Sequence, residues 1–462
     1  VTDESAVDPA RNKPFGWRFT APLLLGSALN PINSSMIATA LVGIGVDFHA
    51  GPGATATLVS VLYLFSAVAQ PTMGKLSTLF GPRRIFLIGV GILLVAGIVG
   101  AAAPSFPFLF ISRALIGIGT SACYPTAMAL VRKRADSFGI GVPSRVLGNF
   151  SIAAQVTAVI GLPLGGILAG AFGWRALFAV NIPLAVISIV LTLVGVAKDE
   201  PIARENRDGL VVALDIPGIV LFGGAVTALL GFLASLQSPS WWLFVLFVVA
   251  TIALVFWERR TRRPLIDVRM IAANGPLQRT YLRQFLVGLG VYAALYGVSQ
   301  WMEDSAKLEP SVVGLILIPF SALSIVIARV VSGRSWIRWP LVLSGISLLL
   351  LASVMLIVTR ASSIYLLIGM TLLFGFTNGL SSFANQAALY LQAPAKDIAV
   401  AAGLYRTSAY IGAIFSSSLI GITFGEAATD SGLHSLAWIL GGLGVIVVLL
   451  TVLDRKLPVV GK

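Results

Sequence analysis

The sequence predicts an all-α polytopic membrane protein, and three observations carry the prediction. Of 462 residues, 57% are hydrophobic and only 11% charged, with a mean hydropathy of +0.93; soluble domains carry about 25% charged residues. Apolar runs of about 20 residues, enough to cross a bilayer, recur along the whole chain. Lysines and arginines cluster in every second interval between those runs, as the positive-inside rule requires of cytoplasmic loops.

In chain order the runs are 18–46, 54–80, 85–103, 107–131, 145–171, 175–197, 214–236, 240–257, 280–302, 311–333, 338–358, 363–391, 398–424 and 433–453, fourteen in all. The pair at 214–236 and 240–257 is separated only by LQSPS; both are apolar enough to span, and a re-entrant pair is the other option. Placing the N-terminus in the cytoplasm puts all but six of the 32 basic residues in inside loops and helix ends. Arg175, Lys307 and Arg360 fall outside; Arg113, Arg329 and Arg406 fall within spans. Both termini are therefore expected inside, with an even number of spans.

The longest inside segments, 198–213 and 258–279, bracket the pair 214–257, so the spans divide 6+2+6. The expected parts are a tail at 1–17, a first half at 18–197, a linker with two extra spans at 198–279, a second half at 280–453 and a tail at 454–462. LIGIGTSACYPTAMALV (115–131) and LFGFTNGLSSFANQAALY (373–390) hold the same position in each half. That likeness fits paired halves or simply two glycine-rich apolar helices.

Loop placement accounts for the net charge of +13, so no nucleic-acid partner is expected. Cys123 lies in an apolar run as a small packing residue, and His49 and His434 are far apart in sequence, so no metal site is legible. No cleavable signal peptide is expected, because residues 1–16 are polar and the first apolar run is too long. There is no G-x-x-x-x-G-K-[ST] loop for ATP and no Ser-His-Asp constellation. Neither a cofactor nor an enzyme activity is expected.

Three stretches carry a resemblance. GKLSTLFGPRR at 74–84 resembles the G-x-L-a-D-r-x-G-r-[RK] loop of the major facilitator superfamily, matching at Gly74, Leu76, Gly81, Arg83 and Arg84. ISRALIGIGTSA resembles the fourth-span motif, with Arg113, Gly117 and Gly119 in place. AVIGLPLGGILAGAFGWRALFAVNIP resembles the antiporter motif of the fifth span and the W-R-x-x-F-x-x-N-x-P after it, matching at Gly161, Pro163, Gly165, Gly166, Trp174, Arg175, Phe178, Asn181 and Pro183. With the 6+2+6 pattern, the chain resembles the fourteen-span drug:proton antiporters of that superfamily.

The resemblance implies a major facilitator fold with 14 transmembrane helices and alternating access. Glycines 74 and 81 would permit close helix approach and a tight turn. In family terms Arg83 and Arg84 would clamp the two halves; a purely topological role explains them equally. Gly161, Gly165 and Gly170 form a small-residue face, and Pro163 kinks or stiffens the span. Two acids of the family pattern are missing. Thr78 stands at the loop Asp, and Asn30 or Asn33 stands where the first span would carry one, so Arg113 is expected to face an amide. The gate should then be held less by ion pairing, and the outward-open state should be less favoured.

None of the nineteen acidic residues lies in midspan. Three accounts remain open: Glu303 or Asp304 reaches the outer cavity and handles the proton, the protein is a facilitator, or the substrate carries its own charge. The unpaired Arg113, Arg329 and Arg406 would suit an anionic or polar substrate, and Arg329 is equally placed to snorkel to the interface.

Candidate substrate contacts are Asn30, Asn33, Arg113, Tyr124, Asn149 and Gln155 in the first half. The second half offers Tyr292, Tyr296, Gln300, Asn378, Asn385 and Arg406. Tyr292 and Tyr296 share one helix face, as do Arg406 and Tyr410. Interhelical hydrogen bonding is the competing role for each. The resulting expectation is a monomeric, multi-pass transporter of the bacterial inner membrane. It would export a small amphipathic or drug-like compound through the lipid bilayer, with protons as the candidate coupling ion. Alternatives are a proton-independent facilitator or importer of a polar or anionic metabolite, and a lipid flippase.

Overall fold

The computed structural model describes residues 14–50, 52–200, 215–235, 239–261, 264–308, 310–425 and 428–460. These fold almost wholly as helices: α1 (Trp17–Met36), α2 (Leu41–Asp47), α3 (Pro52–Phe80), α4 (Pro82–Ala101), α5 (Phe106–Ser137), α6 (Ser144–Phe172), α7 (Ala176–Ala179) and α8 (Asn181–Gly195). Then follow α9 (Ile216–Ala234), α10 (Trp241–Arg260), α11 (Val268–Ala273), α12 (Gly275–Asp304), α13 (Pro310–Arg334), α14 (Arg338–Ile357), α15 (Ile364–Gln392), α16 (Ile398–Phe424) and α17 (Asp430–Val452). Among the described residues there is no strand, only an isolated bridge between Trp336 and Val460.

Eleven helices among the described residues are long and apolar enough to cross a membrane. The other expected spans, 18–46, 54–80 and 145–171, coincide with α1–α2, α3 and α6. The first is not one continuous helix. Pro31, which lacks an amide donor, lies inside α1, Ser34 and Ser35 bond back to its carbonyl at 2.8 and 3.0 Å, and a 3₁₀ turn at Ile37–Ala40 precedes α2. The sixth is likewise split into α7 and α8.

Burial ranks the helices. In α5 78% of the most apolar window is buried, against 17% in α10, so α5 is central and α10 peripheral. Two helix groups emerge from the packing. In the first, α4 and α3 pack on α5, α1 on α6 and α5, and α8 on α4. In the second, α14 packs on α17, α13 on α15 and α12 on α16. The α9–α10 hairpin touches α3 and α16 from outside.

The groups meet through α3 with α16, α6 with α13, and α5 with α16. On the basic face, where Arg83, Arg84, Arg132 and Lys133 lie, this seam is tight. A Cβ on Gly74 would stand 2.5 Å from the Ala399 carbonyl oxygen, and one on Gly403 2.6 Å from that of Gln70. Only glycine lets these backbones approach so closely. Thr407 donates to the Ala67 carbonyl at 2.8 Å, Ser151 to Gln386 at 3.1 Å, and Tyr390 to the Met128 carbonyl. Among the described residues no ion pair crosses the seam. Weak ion pairing at this gate was expected, yet backbone packing closes it in this conformation.

Candidate functional site

Halfway along the seam, Asn30 joins four helices. Its Nδ2 donates to Ser66 Oγ at 3.0 Å and Thr120 Oγ1 at 2.8 Å, and its Oδ1 accepts from the Tyr410 hydroxyl at 2.9 Å. Gln70 Nε2 adds a 3.3 Å bond to the same hydroxyl. An uncharged amide fits here because it both donates and accepts; a carboxylate could only accept.

Beside this hub lies an aromatic cleft. Tyr292 and Tyr296 stack at 5.9 Å, as their spacing predicts, and Tyr63 lies 5.7 Å from Tyr410 and meets the hydroxyl of Tyr296. Tyr296 is 46% exposed, so the cleft is open there. At its base the Arg406 guanidinium lies 4.0 Å over the ring of Tyr124, with Tyr292, Tyr405 and Tyr410 around it. Arg406 Nε and the Tyr124 hydroxyl are both buried without a hydrogen-bond partner, as is Gln70 Oε1. No carboxylate among the described residues stands with them.

The other intramembrane arginines have oxygen acceptors. Arg113 is 1% exposed and does not face an amide side chain as expected. Its Nε donates to the Leu58 carbonyl and its Nη1 to the Asn33 carbonyl, both at 3.1 Å, in a closed pocket with Met36, Leu177 and Phe178. Arg329 donates to Asn149 Oδ1 at 3.1 Å across the α6–α13 contact, so these two are seam residues. Arg283, fully buried on α12, bonds Asp454 at 3.2 Å, Thr280 at 2.8 Å and Asn385 at 3.4 Å.

The loop at 74–84 behaves differently from expectation. Arg83 and Arg84 do not clamp the two groups; their guanidinia bond the Leu193, Phe80 and Glu200 carbonyls at 3.2, 3.1 and 3.0 Å, all within the first group and its trailing segment. The reason is Asp199. Its carboxylate accepts the backbone N–H of Arg83 at 3.3 Å and of Arg84 at 2.8 Å, capping α4 and drawing that segment onto both arginines. Gly81 makes the turn at φ +94°, and any Cβ there would collide with Asp199. Thr78 is exposed and bonds only the Lys75 carbonyl, at 2.7 Å. A cavity of about 440 Å³ on this face holds Thr78, Arg84, Lys133, Asp199 and Lys396. Across it Lys133 meets Glu200 at 2.8 Å, which holds that exposed carboxyl below its ordinary pKa.

The remaining expected contacts scatter. Asn33 is buried against Asn181 Oδ1 at 2.7 Å, and Asn378 bonds Ser324 at 3.0 Å within the second group. Asn385 lies with Arg283 near the basic face, and Gln300 is exposed on α12. Gly161 packs on Ser35, Gly165 is buried, and Gly166 and Gly170 have nothing within 4 Å, so only part of the small-residue face is used. The side chains of Gln155, Pro163, Glu303 and Asp304 lie outside the described residues.

Of the cleft, Tyr124, Tyr292, Tyr296, Arg406 and Tyr410 were legible. Tyr63 and Gln70 were missed, although both are polar residues well inside the second apolar run. Arg283 was missed although it lies inside the ninth. Asp199 had no signal beyond being an acid, because its role depends on a partner loop more than a hundred residues earlier in the chain.

An all-helical polytopic membrane protein with two packed helix groups and a polar cleft between them is the class that this geometry defines. The Major Facilitator Superfamily model matches residues 23–417, and the chain belongs to that family of membrane transporters. It is 33% identical to the uncharacterised MFS-type transporter YwoD of Bacillus subtilis (strain 168), over 89% of this chain and 91% of that one. It is 26% identical to the tetracenomycin C resistance and export protein of Streptomyces glaucescens, over 91% and 78%. Among solved structures, the human organic anion transporter MFSD10 aligns with a TM-score of 0.69 at 15% identity, covering 96% of this chain and 100% of that one. That likeness speaks to the fold alone.

Proposed function

We propose that the chain is a fourteen-span secondary transporter that exports a small amphipathic, drug-like compound by alternating access. Its halves are 18–197 and 280–453, with 198–279 as a linker carrying two extra spans and short tails at 1–17 and 454–462. Its termini and basic face lie in the cytoplasm of a bacterial inner-membrane protein that works as a monomer. The observation that carries the reading is the cleft: a polar and aromatic wall at the seam, sealed toward the basic face by Gly74 on Ala399 and Gly403 on Gln70 and open at Tyr296. Relatives named for resistance and export support the direction.

A second reading, a proton-independent facilitator, is favoured by the lack of any carboxylate among the described residues of the cleft. Purified protein in liposomes, given a panel of fluorescent amphipathic compounds of each charge, tests the proposal. Protein-dependent movement of at least one is expected; movement no faster than through protein-free liposomes for every compound would sink it. An imposed pH gradient separates the two readings. Movement that follows the gradient, and is lost in Glu303→Gln/Asp304→Asn, supports proton antiport with those acids as carriers; indifference to the gradient supports the facilitator.

A further inference from the structure

Arg113, Arg283, Arg329 and Arg406 lie inside membrane-crossing helices, and their surroundings differ in kind. Arg283 has a carboxylate, a hydroxyl and an amide oxygen; Arg113 has two carbonyls, its Nη2 left buried and partnerless in a closed pocket; Arg329 has an amide oxygen. Arg406 has ring faces. It lies over Tyr124, its Nε is buried and partnerless, and the Tyr124 hydroxyl next to it is also partnerless. A ring face attracts a cation through its quadrupole but accepts no N–H bond in the guanidinium plane. An intramembrane charge without a counter-ion is costly and marks a candidate functional site; unlike the enclosed Arg113, Arg406 is only partly buried and borders the cleft. The cleft beside it supplies an aromatic surface: Tyr292 and Tyr296 are stacked, Tyr63 reaches the Tyr296 hydroxyl, and Tyr296 is 46% exposed.

We infer that the substrate of this cleft is an aromatic organic monoanion, its carboxylate or sulfonate engaging Arg406 and its ring packing on Tyr292, Tyr296 and Tyr63. The inference rests on the transport reading above and narrows it to one charge class. A planar two-oxygen anion pairs with the guanidinium fork edge-on, which leaves the face of Arg406 free to stay on Tyr124. The Tyr124 hydroxyl is placed to donate to the same anion. A cationic compound of equal shape would meet Arg406 head-on in a poorly solvated cleft with no carboxylate among the described residues to offset it.

The test uses full-length protein in detergent and three probes of one shape: 2-naphthoate, 2-naphthalenemethanol and 2-naphthylmethylammonium. Thermal stabilisation and tryptophan fluorescence read binding. Naphthoate is expected to bind at least tenfold tighter than the other two. Arg406→Gln should abolish that preference, and Arg406→Lys should restore it in part. Unliganded Arg406→Gln should melt at or above the wild-type temperature, because it removes a partly buried charge that has no counter-ion among the described residues; an arginine held for structure would make it melt lower. Equal or tighter binding of the ammonium probe, no binding of naphthoate, or naphthoate binding unchanged in Arg406→Gln would each overturn the inference. Should Arg406→Gln fail to fold, that alone marks the arginine as structural and overturns it too. These outcomes leave the transport reading standing, since that falls only if liposomes show no protein-dependent movement of any compound.

Discussion

Asp199 Oδ2 accepts the backbone N–H of Arg84 at 2.8 Å, so the turn at Gly81 receives its acid from the far end of the first helix group. The loop itself has Thr78 where related loops place Asp. A carboxylate at a helix N-terminus satisfies orphan donors and opposes the positive end of the helix dipole. Asp199→Ala should lower stability by about 1 kcal/mol, within the ~0.5–2 kcal/mol range of cap deletions, and Asp199→Asn by less. Thermal unfolding in detergent measures both. Equal melting of Asp199→Ala and wild type would remove the cap from the account.

The seam at Gly403 and Gly74 is closed by backbone contact, and side-chain volume is therefore the variable that opens it. Gly403→Val puts atoms where the Gln70 carbonyl and Pro71 Cα lie, and Gly74→Leu does the same at Ala399. Both should shift the protein away from the conformation closed on the basic face. Thr407 is 3% exposed at that seam and is the reporter: Thr407→Cys, in a Cys123→Ala background, should resist a water-soluble maleimide until Gly403→Val is added. Thr78 cannot report the same event because it is exposed while the seam is closed. Equally slow labelling with and without Gly403→Val would show that the seam does not depend on glycine.

The helices were legible because each apolar run is its own signal; 54–80 and α3 differ by two residues at one end. The break in the first span was not, because it depends on Pro31 with back-bonding serines rather than on hydropathy. Tyr292 and Tyr296 were legible as a pair because i, i+4 spacing fixes a shared face. Asn378 and Asn385 were left between a cavity role and an interhelical one, since a polar residue in midspan looks the same whether it meets a ligand or the neighbouring helix; in this structure both bond neighbouring helices. The clamping and topological readings of Arg83 and Arg84 could not be told apart in the sequence, because their partner, Asp199, is brought to them only by the fold.

Asp454 ties the end of the last helix to α12. It is fully buried, 2.7 Å from Arg279 and 3.2 Å from Arg283. Burial alone would raise its pKa, and hydrogen bonds from the two arginines more than reverse this, holding it below the ordinary 3.8. A depressed carboxyl stabilises the fold fully above that ordinary value and loses the contribution as pH falls through its folded value. Asp454→Asn leaves two arginines uncompensated and should cost about 3–5 kcal/mol at pH 7, the range for breaking a buried pair. The gap between variant and wild type should narrow below pH 3.8. Thermal unfolding of both across pH 3–7 reads it, and a gap independent of pH would assign the loss to packing rather than charge.

The α9–α10 hairpin, which packs on the outside of the two helix groups, is anchored by Asp215. That residue is 3% exposed and sits at φ +49°, a left-handed conformation that Asp tolerates better than most side chains. Its carboxylate accepts Gly218 N at 3.1 Å, Trp257 Nε1 at 2.7 Å and Leu265 N at 2.8 Å, so it joins the start of α9, the end of α10 and the segment beyond. Asp215→Ala would orphan all three donors and cost about 2–4 kcal/mol, at about 1–3 kcal/mol per strongly buried group and with partial relaxation. Trp257→Phe removes one donor and should cost less. Hydrogen exchange locates the effect: the Gly218 and Leu265 amides should exchange faster in Asp215→Ala, with α5 unchanged. Faster exchange spread evenly through α5 would mean that the hairpin supports the whole fold, and unchanged exchange at Gly218 and Leu265 would mean that Asp215 does not anchor it.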